Sequence, residues 1–380
     1  MKTKTLHSKE EHSPTRRDFL RKTASSTALL TLGSASALKP RVYSLEASRQ
    51  KLGFALVGLG NLSTNQIAPA LQKTHHCELK AIVTGTPEKE QAWAQKYGIP
   101  ASNIFHYGNY DKIKDNDDVD VVYIVLPNGL HAEYTIRAAH AGKHVLCEKP
   151  MANTAKDCAD MIAACRSNDR KLAVGYRCQF EPHHQECIRI ARSGVFGSPR
   201  YIDAGFGFKI GDPQQWRLRQ KLAGGGALMD VGIYALQACR YIFGEEPISV
   251  FATETKTDPV KFREVDETMT WSMRFPSGGL ANCSTSYAFS GVNYFKAYGA
   301  KGWFTLNPGY SYSGIKGERS DKKNLRFDDI DQFAAEMDDF AQCILEDKES
   351  RVSGEEGLRD LKVIEGIYRS VKEKKQIALF

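Results

Sequence analysis

Between residues 53 and 175 the chain alternates short apolar runs with amphipathic stretches, and this alternation constrains its fold more than any other feature. The runs LGFALVGLG (52–60), CELKAIVTG (77–85) and DVDVVYIVLP (118–127) have the length and composition of strands, and segments with helical spacing of apolar residues lie between them. Strands that alternate with helices pair in parallel. The sequence therefore predicts an N-terminal doubly wound α/β domain of the Rossmann type over residues 53–175.

The pattern changes in the second half of the chain. Segments such as ISVFATETKT (248–257) and ETMTWSMRFPSGGLANCSTSYAF (267–289) alternate apolar with polar residues and contain turn signals, which is typical of antiparallel sheets. Amphipathic helices over about 329–346 and 355–374 close the chain. We expect residues 176–380 to form a second domain that contains an antiparallel sheet.

The N-terminus has the features of an export signal. SPTRRDFLRK (13–22) places an arginine pair ahead of a weakly apolar stretch that ends in Ala35-Ser36-Ala37. This arrangement predicts a twin-arginine signal peptide over residues 1–37, a short arm over 38–52 and a periplasmic location. The apolar stretch is too short and too polar to span a bilayer, so we expect no membrane anchor.

Charge and cysteine content exclude several classes of protein. Residues 1–37 contain seven Lys or Arg and three Asp or Glu, and thus supply +4 of the net charge of +7. The remaining balance gives no reason to expect a nucleic-acid partner. The nine cysteines are odd in number, lack a C-x-x-C pair and lie in apolar segments, which argues against a disulfide framework or a metal site.

The first strand is followed by the turn GLGNLS, which contains Gly58, Gly60, Asn61, Leu62 and Ser63. In an open parallel sheet this turn binds a pyrophosphate, because glycines let the backbone approach and the next helix offers free N–H groups. The second strand ends in Thr84 without the carboxylate that would accept the ribose 2′-hydroxyl of NAD, and Lys89 follows one turn into the next helix. These residues favour NADP over NAD.

Three further motifs carry a resemblance. CEKPM (147–151), PNGLHAE (127–133) and GGGALMDVGIY (224–234), with the remainder of the chain after residue 50, resemble the Gfo/Idh/MocA oxidoreductase family. The resemblance implies that residues 176–380 form a C-terminal α/β domain with a large, mostly antiparallel open sheet, which serves substrate binding and oligomerisation. It also implies catalytic or substrate-contacting roles for Lys149, Asp230 and Tyr234, and a cis peptide bond before Pro150. We expect the remaining contacts to the cofactor from Pro127, Asn128, His131, Glu148, Lys149, Arg177, Trp216 and Arg217.

Several of these residues have a second interpretation. Arg177, Trp216 and Arg217, together with His183 and His184, could instead line a sugar pocket, since stacking and bidentate donors suit polyols. Core or surface roles are equally compatible with their positions.

The chemistry can be argued from the residues themselves. Oxidation of an aldose at C1 removes a hydride while a base takes the hydroxyl proton, and reduction of a ketose runs the same process backwards. We expect Tyr234 to transfer the proton, with the Lys149 ammonium favouring its anion and Asp230 orienting the lysine or a sugar hydroxyl. The three glycines 224–226 are expected to make room for substrate and nicotinamide.

Together these features predict an exported, homo-oligomeric sugar oxidoreductase. It would keep NADP bound between turnovers and use it to transfer hydride from C1 of an aldose such as glucose and to reduce a second sugar such as fructose. A dissociable NADP-dependent aldose dehydrogenase or ketose reductase remains open, because the arm of about fifteen residues is short for retaining a cofactor. An NAD-dependent glycosidase of the same fold and a non-enzymatic sugar sensor are further alternatives.

Overall fold

The computed structural model of the protein describes residues 51–379, and two β-sheets organise this part of the chain. The predicted signal peptide and nearly all of the predicted arm lie outside the described residues. The first sheet is six-stranded and parallel within the described residues, in the order β3-β2-β1-β4-β5-β6. Its strands are β1 (Leu52–Val57), β2 (Cys77–Val83), β3 (Ile104–Phe105), β4 (Val121–Ile124), β5 (His144–Glu148) and β6 (Leu172–Gly175).

Helices connect these strands, as the alternating pattern predicts. They are α1 (Ala68–Leu71), which a π-helical turn (Ser63–Ile67) precedes, α2 (Pro87–Tyr97), α3 (His131–His140) and α4 (Ala155–Ser167). Helix α2 shows local sequence control at both ends. Pro87 occupies its first turn, where a missing N–H has no cost, and Gly98 ends it in the left-handed conformation.

The strand order reverses between β1 and β4, which are direct neighbours although two strands separate them in sequence. Connections from β1 and β4 leave toward opposite sides, so a crevice opens at the carboxyl ends of these strands. The turns after β1, β2, β4 and β5 all meet at this edge. The fold thus brings the glycine turn, Thr84, the 127–133 segment and Lys149 together.

The second sheet has eight strands within the described residues, in the order β13-β12-β11-β7-β10-β9-β8-β14. Strands β7 and β10 are parallel and the other neighbours are antiparallel. Both predictions of the sheet types are thus confirmed. The strands are β7 (Pro199–Gly207), β8 (Ser249–Thr255), β9 (Thr268–Arg274), β10 (Leu280–Ser286), β11 (Asn293–Gly299), β12 (Gly302–Leu306), β13 (Gly317–Arg319) and β14 (Ile377–Ala378).

Five helices of the described residues accompany this sheet: α5 (Pro182–Ser193), α6 (Gln220–Ala223), α7 (Ile233–Phe243), α8 (Gln332–Leu345) and α9 (Gly354–Glu373). A π-helical turn (Leu228–Gly232) precedes α7. The helical stretch 220–243 has the length and apolarity of a membrane span by composition, but most of it is buried inside the fold, as in a core helix of a globular domain. Short 3₁₀ segments occupy Ala101–Asn103, Tyr107–Asp115, Asn128–Leu130, Arg177–Phe180 and Trp216–Leu218.

The second sheet buries one face and exposes the other. In β9, Met269, Trp271 and Met273 are buried, whereas Thr270 and Ser272 are exposed, as strict alternation requires. Exposed large side chains of the sheet strands are Tyr201, Phe251, Leu280 and Tyr298. The open face therefore carries apolar surface that residues 51–379 leave uncovered.

Helix α8 joins the second half of the chain to the first sheet. Its Asp338 accepts hydrogen bonds from the backbone N–H groups of His75 and His76, just before β2. Eight of the nine cysteines are buried, and all nine are free thiols. Most of the cysteines are therefore small core residues, in keeping with their positions in apolar segments.

Candidate active site

The turn after β1 is shaped by two glycines with different functions. Gly58 has a φ of +91°, and a Cβ there would lie 2.5 Å from the Val125 carbonyl oxygen after β4. A Cβ on Gly60 would meet no atom within 4 Å, so its backbone faces open space. Ser63 lies buried beneath the turn and donates a hydrogen bond from Oγ to the Gly58 carbonyl at 2.5 Å. Ser63 therefore supports the turn.

A cleft of about 640 Å³ extends from this turn along the crevice between β1 and β4. Twelve of the fifteen predicted cofactor residues line it: Gly58, Gly60, Asn61, Leu62, Thr84, Lys89, Pro127, Asn128, Glu148, Lys149, Trp216 and Arg217. The other three, Ser63, His131 and Arg177, do not. The fold therefore assembles most of the predicted cofactor residues on one surface.

The end of the cleft beside β2 suits a 2′-phosphate. Thr84, Gly85, Thr86 and Lys89 line it, and the Lys89 ammonium bonds the Leu59 carbonyl oxygen at 2.8 Å, which holds the charge over the glycine turn. The carboxyl groups that line the cleft are Glu148 and Asp230, which belong to its other end. The glycine turn and this charge distribution fit NADP, because a carboxylate beside the ribose would repel its phosphate.

A second cavity of about 720 Å³ adjoins the cleft. The two share Asn61, Leu62, Glu148, Lys149, Arg217 and Asp230. The remaining walls of the second cavity combine aromatic faces with amide and hydroxyl groups, among them Phe206, Tyr312, Asn65, Gln215 and Asn293. Aromatic faces and orienting polar groups are the usual lining of a site for small polyols.

Asp230 organises the side chains where the two cavities meet. The Lys149 ammonium donates to Asp230 Oδ1 at 3.2 Å and to its carbonyl oxygen at 2.7 Å. Arg217 Nε and the Tyr287 hydroxyl both donate to Oδ2, at 3.1 and 3.0 Å. Burial alone would raise the pKa of Asp230, but Lys149 and Arg217 together hold it at about 2. Asp230 is therefore an ionised anchor for both cations.

Tyr234 lies in the first turn of α7, and two cations lie close to its ring. The Lys149 ammonium is 5.1 Å and the Arg177 guanidinium 4.9 Å from the ring centroid. Burial nevertheless raises the pKa of Tyr234 above its usual value, and Arg177 is the main group that opposes this. The nearby cations thus do not bring the pKa of Tyr234 below its usual value, so the expectation of a resting phenol shifted toward its anion is wrong. Lys149 bonds Asp230, and the resting Tyr234 phenol is neutral.

The three glycines before this helix have a different purpose from the one expected. A Cβ on Gly225 would lie 1.9 Å from the Tyr368 hydroxyl, and one on Gly226 would lie 1.9 Å from the Asp266 carbonyl oxygen. A Cβ on Gly224 would lie 2.4 Å from Asn153 Oδ1. None of the three lines either cavity. The glycines make room for neighbouring parts of the protein, and the expectation that they make room for ligands is wrong.

Asp266 fixes the start of the helical segment that carries Asp230. Its carboxylate accepts hydrogen bonds from the Gly226 and Leu228 N–H groups at 2.6 and 2.8 Å, and from the Tyr368 hydroxyl at 2.6 Å. Negative charge at a helix start is favourable. Sequence reasoning missed Asp266 and also Tyr287, because both lie far along the chain from the motif and no local pattern marks them.

The remaining predicted residues separate into two groups. Arg177 lines the second cavity and bonds Gln332 Oε1 and the Tyr310 carbonyl oxygen, at 2.5 and 2.6 Å, so it lies on the substrate side. His131 is buried with its ring nitrogens 2.9 and 2.8 Å from the Pro150 and Leu126 carbonyl oxygens, and it holds two of the cleft loops together. It does not line the cleft.

The predictions also concerned His183, His184 and the peptide bond before Pro150. His183 bonds Glu181, and His184 bonds the Gly309 carbonyl oxygen; both are buried outside the second cavity. They are core residues in the described structure, and they do not line a sugar pocket. The Lys149–Pro150 peptide bond is cis, as the resemblance implied.

A dinucleotide cleft here opens onto a polyol-sized cavity, with an amine and a carboxylate at the junction and a phenol in the wall of the second cavity. This combination defines a nicotinamide-dependent oxidoreductase. Two protein-family models support this assignment to the oxidoreductases. The model described as "Oxidoreductase family, NAD-binding Rossmann fold" matches residues 52–176, and the "GFO/IDH/MocA C-terminal domain" matches residues 184–305. The chain belongs to the Gfo/Idh/MocA oxidoreductase family.

Individual relatives narrow the class. The solved structure of aldose-aldose oxidoreductase from Caulobacter crescentus, complexed with glycerol, is 44% identical, with a TM-score of 0.82 over 87% of this chain and 100% of that chain. D-xylose 1-dehydrogenase [NADP(+)] of Haloarcula marismortui is 30% identical over 88% of this chain and 94% of that protein. D-xylose 1-dehydrogenase (NADP(+)) 2 of Haloferax volcanii is 29% identical over 84% of this chain and 97% of that protein.

These relatives confirm the coarser predictions. All three names describe an enzyme that acts on sugar CH–OH groups, and two of them name NADP as the cofactor. The chain covers nearly the whole length of each relative.

Proposed function

We propose that this protein is an NADP-dependent sugar oxidoreductase that oxidises an aldose at C1 and reduces a second sugar. The observation that carries the proposal is the junction of the cofactor cleft with the second cavity at Lys149, Asp230 and Arg217. A sugar in the second cavity would present its reacting carbon where the two spaces meet. NADP, when bound, supplies the hydride acceptor and donor.

The side chains at the junction can hold and move the proton. For carbonyl reduction, neutral Tyr234 donates its hydroxyl proton to the oxygen of the sugar, and the cations of Lys149 and Arg177 stabilise the phenolate that remains. For oxidation the phenolate accepts the C1 hydroxyl proton. Asp230 keeps the Lys149 ammonium in place through both directions.

Reduction of a second sugar is supported by two observations. The relative with 44% identity is an aldose-aldose oxidoreductase, which favours an aldose as the second substrate over the fructose expected from the sequence. The predicted twin-arginine signal supports a periplasmic enzyme, where free nicotinamide nucleotide is scarce and a cycle between two sugars removes the need for it. The exposed apolar face of the second sheet supports a homo-oligomer.

A dissociable NADP-dependent aldose dehydrogenase is the second candidate. The two archaeal relatives, both xylose dehydrogenases, favour it.

One experiment separates the candidates. The protein is purified without added cofactor, the nucleotide released on denaturation is quantified, and the native protein is incubated with one aldose and then with two. Equal amounts of aldonolactone and alditol without added NADP support the cycle. Lactone that forms only with added NADP supports the dehydrogenase, and release of an aglycone from a glycoside would overturn both.

A further inference from the structure

Behind the reaction cavity two buried carboxyl groups face one tyrosine hydroxyl. The Tyr123 hydroxyl lies 2.8 Å from Glu148 Oε1 and 3.2 Å from Glu336 Oε1. Tyr123 and Glu336 are completely buried, and Glu148 is 6% exposed. Strand β4 carries Tyr123, the end of β5 carries Glu148 and helix α8 carries Glu336. Three separate elements thus bring these groups together.

One hydroxyl cannot satisfy two carboxylates. Tyr123 has a single proton to donate, so its second contact is a hydrogen bond only if that carboxyl group is protonated and donates to the hydroxyl oxygen. Two ionised carboxylates at this spacing in a buried site would also repel each other. The geometry therefore requires that the pair shares one proton.

Glu336 is the better place for that proton. Its Oε2 atom is buried and has no hydrogen-bond partner among residues 51–379, which would leave an anion without a donor. Glu148 Oε2, in contrast, accepts from the Lys149 N–H at 3.2 Å. Burial raises the pKa of both carboxyl groups, most strongly for Glu336. The other charged and titratable groups that face the pair are Lys149, Arg177, Cys147, Cys178, Tyr234 and Tyr312.

Glu148 connects this pair to the reaction site. It lines both the cofactor cleft and the second cavity. Gly175 leaves space for it, because a Cβ there would lie 3.1 Å from Glu148 Oε1. A proton that reaches Glu148 is thus held by a residue of the cavity wall.

We propose that Glu336, Tyr123 and Glu148 form a proton store for the reaction cavity. To supply a proton, Glu336 gives its proton to the Tyr123 oxygen while the Tyr123 proton moves to Glu148 Oε1. Glu336 becomes the anion, Tyr123 stays neutral and Glu148 becomes the acid in the cavity wall. The reverse transfer reloads Glu336, and no electrons are exchanged. This function rests on the proposed sugar oxidoreduction, in which reduction consumes one proton and oxidation releases one.

The first test measures the protonation state without any substrate. Infrared spectra of the purified protein at neutral pH, in water and in heavy water, should contain the C=O band of a protonated carboxylic acid. We expect Glu336→Gln to remove this band. Glu373→Gln, which changes an exposed glutamate paired with Lys375, should leave it unchanged. Identical spectra for the wild type and Glu336→Gln would overturn the proposal.

The second test separates a proton store from a structural contact. Glutamine has the shape and hydrogen-bonding capacity of a neutral glutamic acid but cannot release its proton. A structural function therefore predicts normal activity for Glu336→Gln. The proton store predicts kcat reduced about tenfold or more, an unchanged KM and an altered pH profile, with the same loss of kcat in Tyr123→Phe. Full activity of Glu336→Gln would overturn it.

Each half-reaction is assayed separately with added NADP or NADPH, so the result does not depend on cycling between two sugars. If the cycle fails but Glu336→Gln still slows single-sugar oxidation and removes the infrared band, the proton store stands and only the proposed second substrate is wrong.

Discussion

Replacement of Asp230 by asparagine should weaken both the fold and the activity. The pKa of Asp230 is lowered from 3.8 to about 2 by Lys149 and Arg217 against the effect of burial. A difference of about 2 pKa units corresponds to roughly 2.5 kcal/mol of stability, which is present above the unfolded pKa and is lost as pH falls through about 2. We expect Asp230→Asn to lower the free energy of unfolding by about 2 kcal/mol at pH 7.

Asp230→Asn should also lower kcat, by more than the loss of folding stability alone would cause. Without the carboxylate, the Lys149 ammonium loses one of its two partners at the junction, and a misplaced reacting group commonly costs about 100-fold in rate. Urea unfolding at pH 7 and at pH 3, together with kcat for a single sugar, measures both effects. Asp160→Asn, which removes a surface ion pair with Lys156, is the control and should change neither quantity appreciably. Equal unfolding free energies for Asp230→Asn and the wild type at pH 7 would refute the electrostatic argument.

Three further substitutions test other parts of the site. Tyr234→Phe should lower kcat by about 100-fold or more while KM stays within a few-fold, and the oxidation rate of the wild type should continue to rise at high pH because burial raises the pKa of Tyr234; steady-state kinetics over a pH series checks both. Gly225→Ala should destabilise the protein by about 1–3 kcal/mol, since its Cβ would clash with the Tyr368 hydroxyl, and thermal unfolding of Gly225→Ala and of Gly225→Ala/Tyr368→Phe shows whether that contact is responsible. Lys89→Ala should raise KM for NADP about tenfold and leave KM for NAD nearly unchanged, and equal changes in both would contradict a 2′-phosphate contact.

The parts of the site that sequence predicted well are those encoded by contiguous segments. The glycine turn with Gly58 and Gly60, the strand-end residue Thr84 and the segment with Lys149 each follow a strand, so the parallel sheet brings them to one edge. Their positions follow from strand order alone. Asp230 and Tyr234 were predictable because one contiguous helical segment carries both, four residues apart.

The parts that sequence missed depend on tertiary packing. Asp266, Tyr287 and Glu336 are brought to the site from elements far along the chain, and neither periodicity nor spacing marks them. The glycine run was misinterpreted because a missing side chain can make room for a ligand or for the protein, and only the positions of Tyr368 and Asp266 distinguish these cases. The pKa of Tyr234 was misjudged because burial, which opposes the cations, is not visible in sequence.

The charges around the second cavity also bear on which sugars it can accept. Lys149 and Arg217 are both bonded to ionised Asp230, and Arg177 is bonded to Gln332 and to backbone carbonyl oxygens. A phosphorylated sugar would have to compete with these partners for a cation and would place its charge close to the Asp230 carboxylate. A neutral sugar, in contrast, needs only hydrogen bonds and aromatic contacts, which the amide, hydroxyl and aromatic groups of the cavity wall provide. The arrangement therefore favours unphosphorylated sugars.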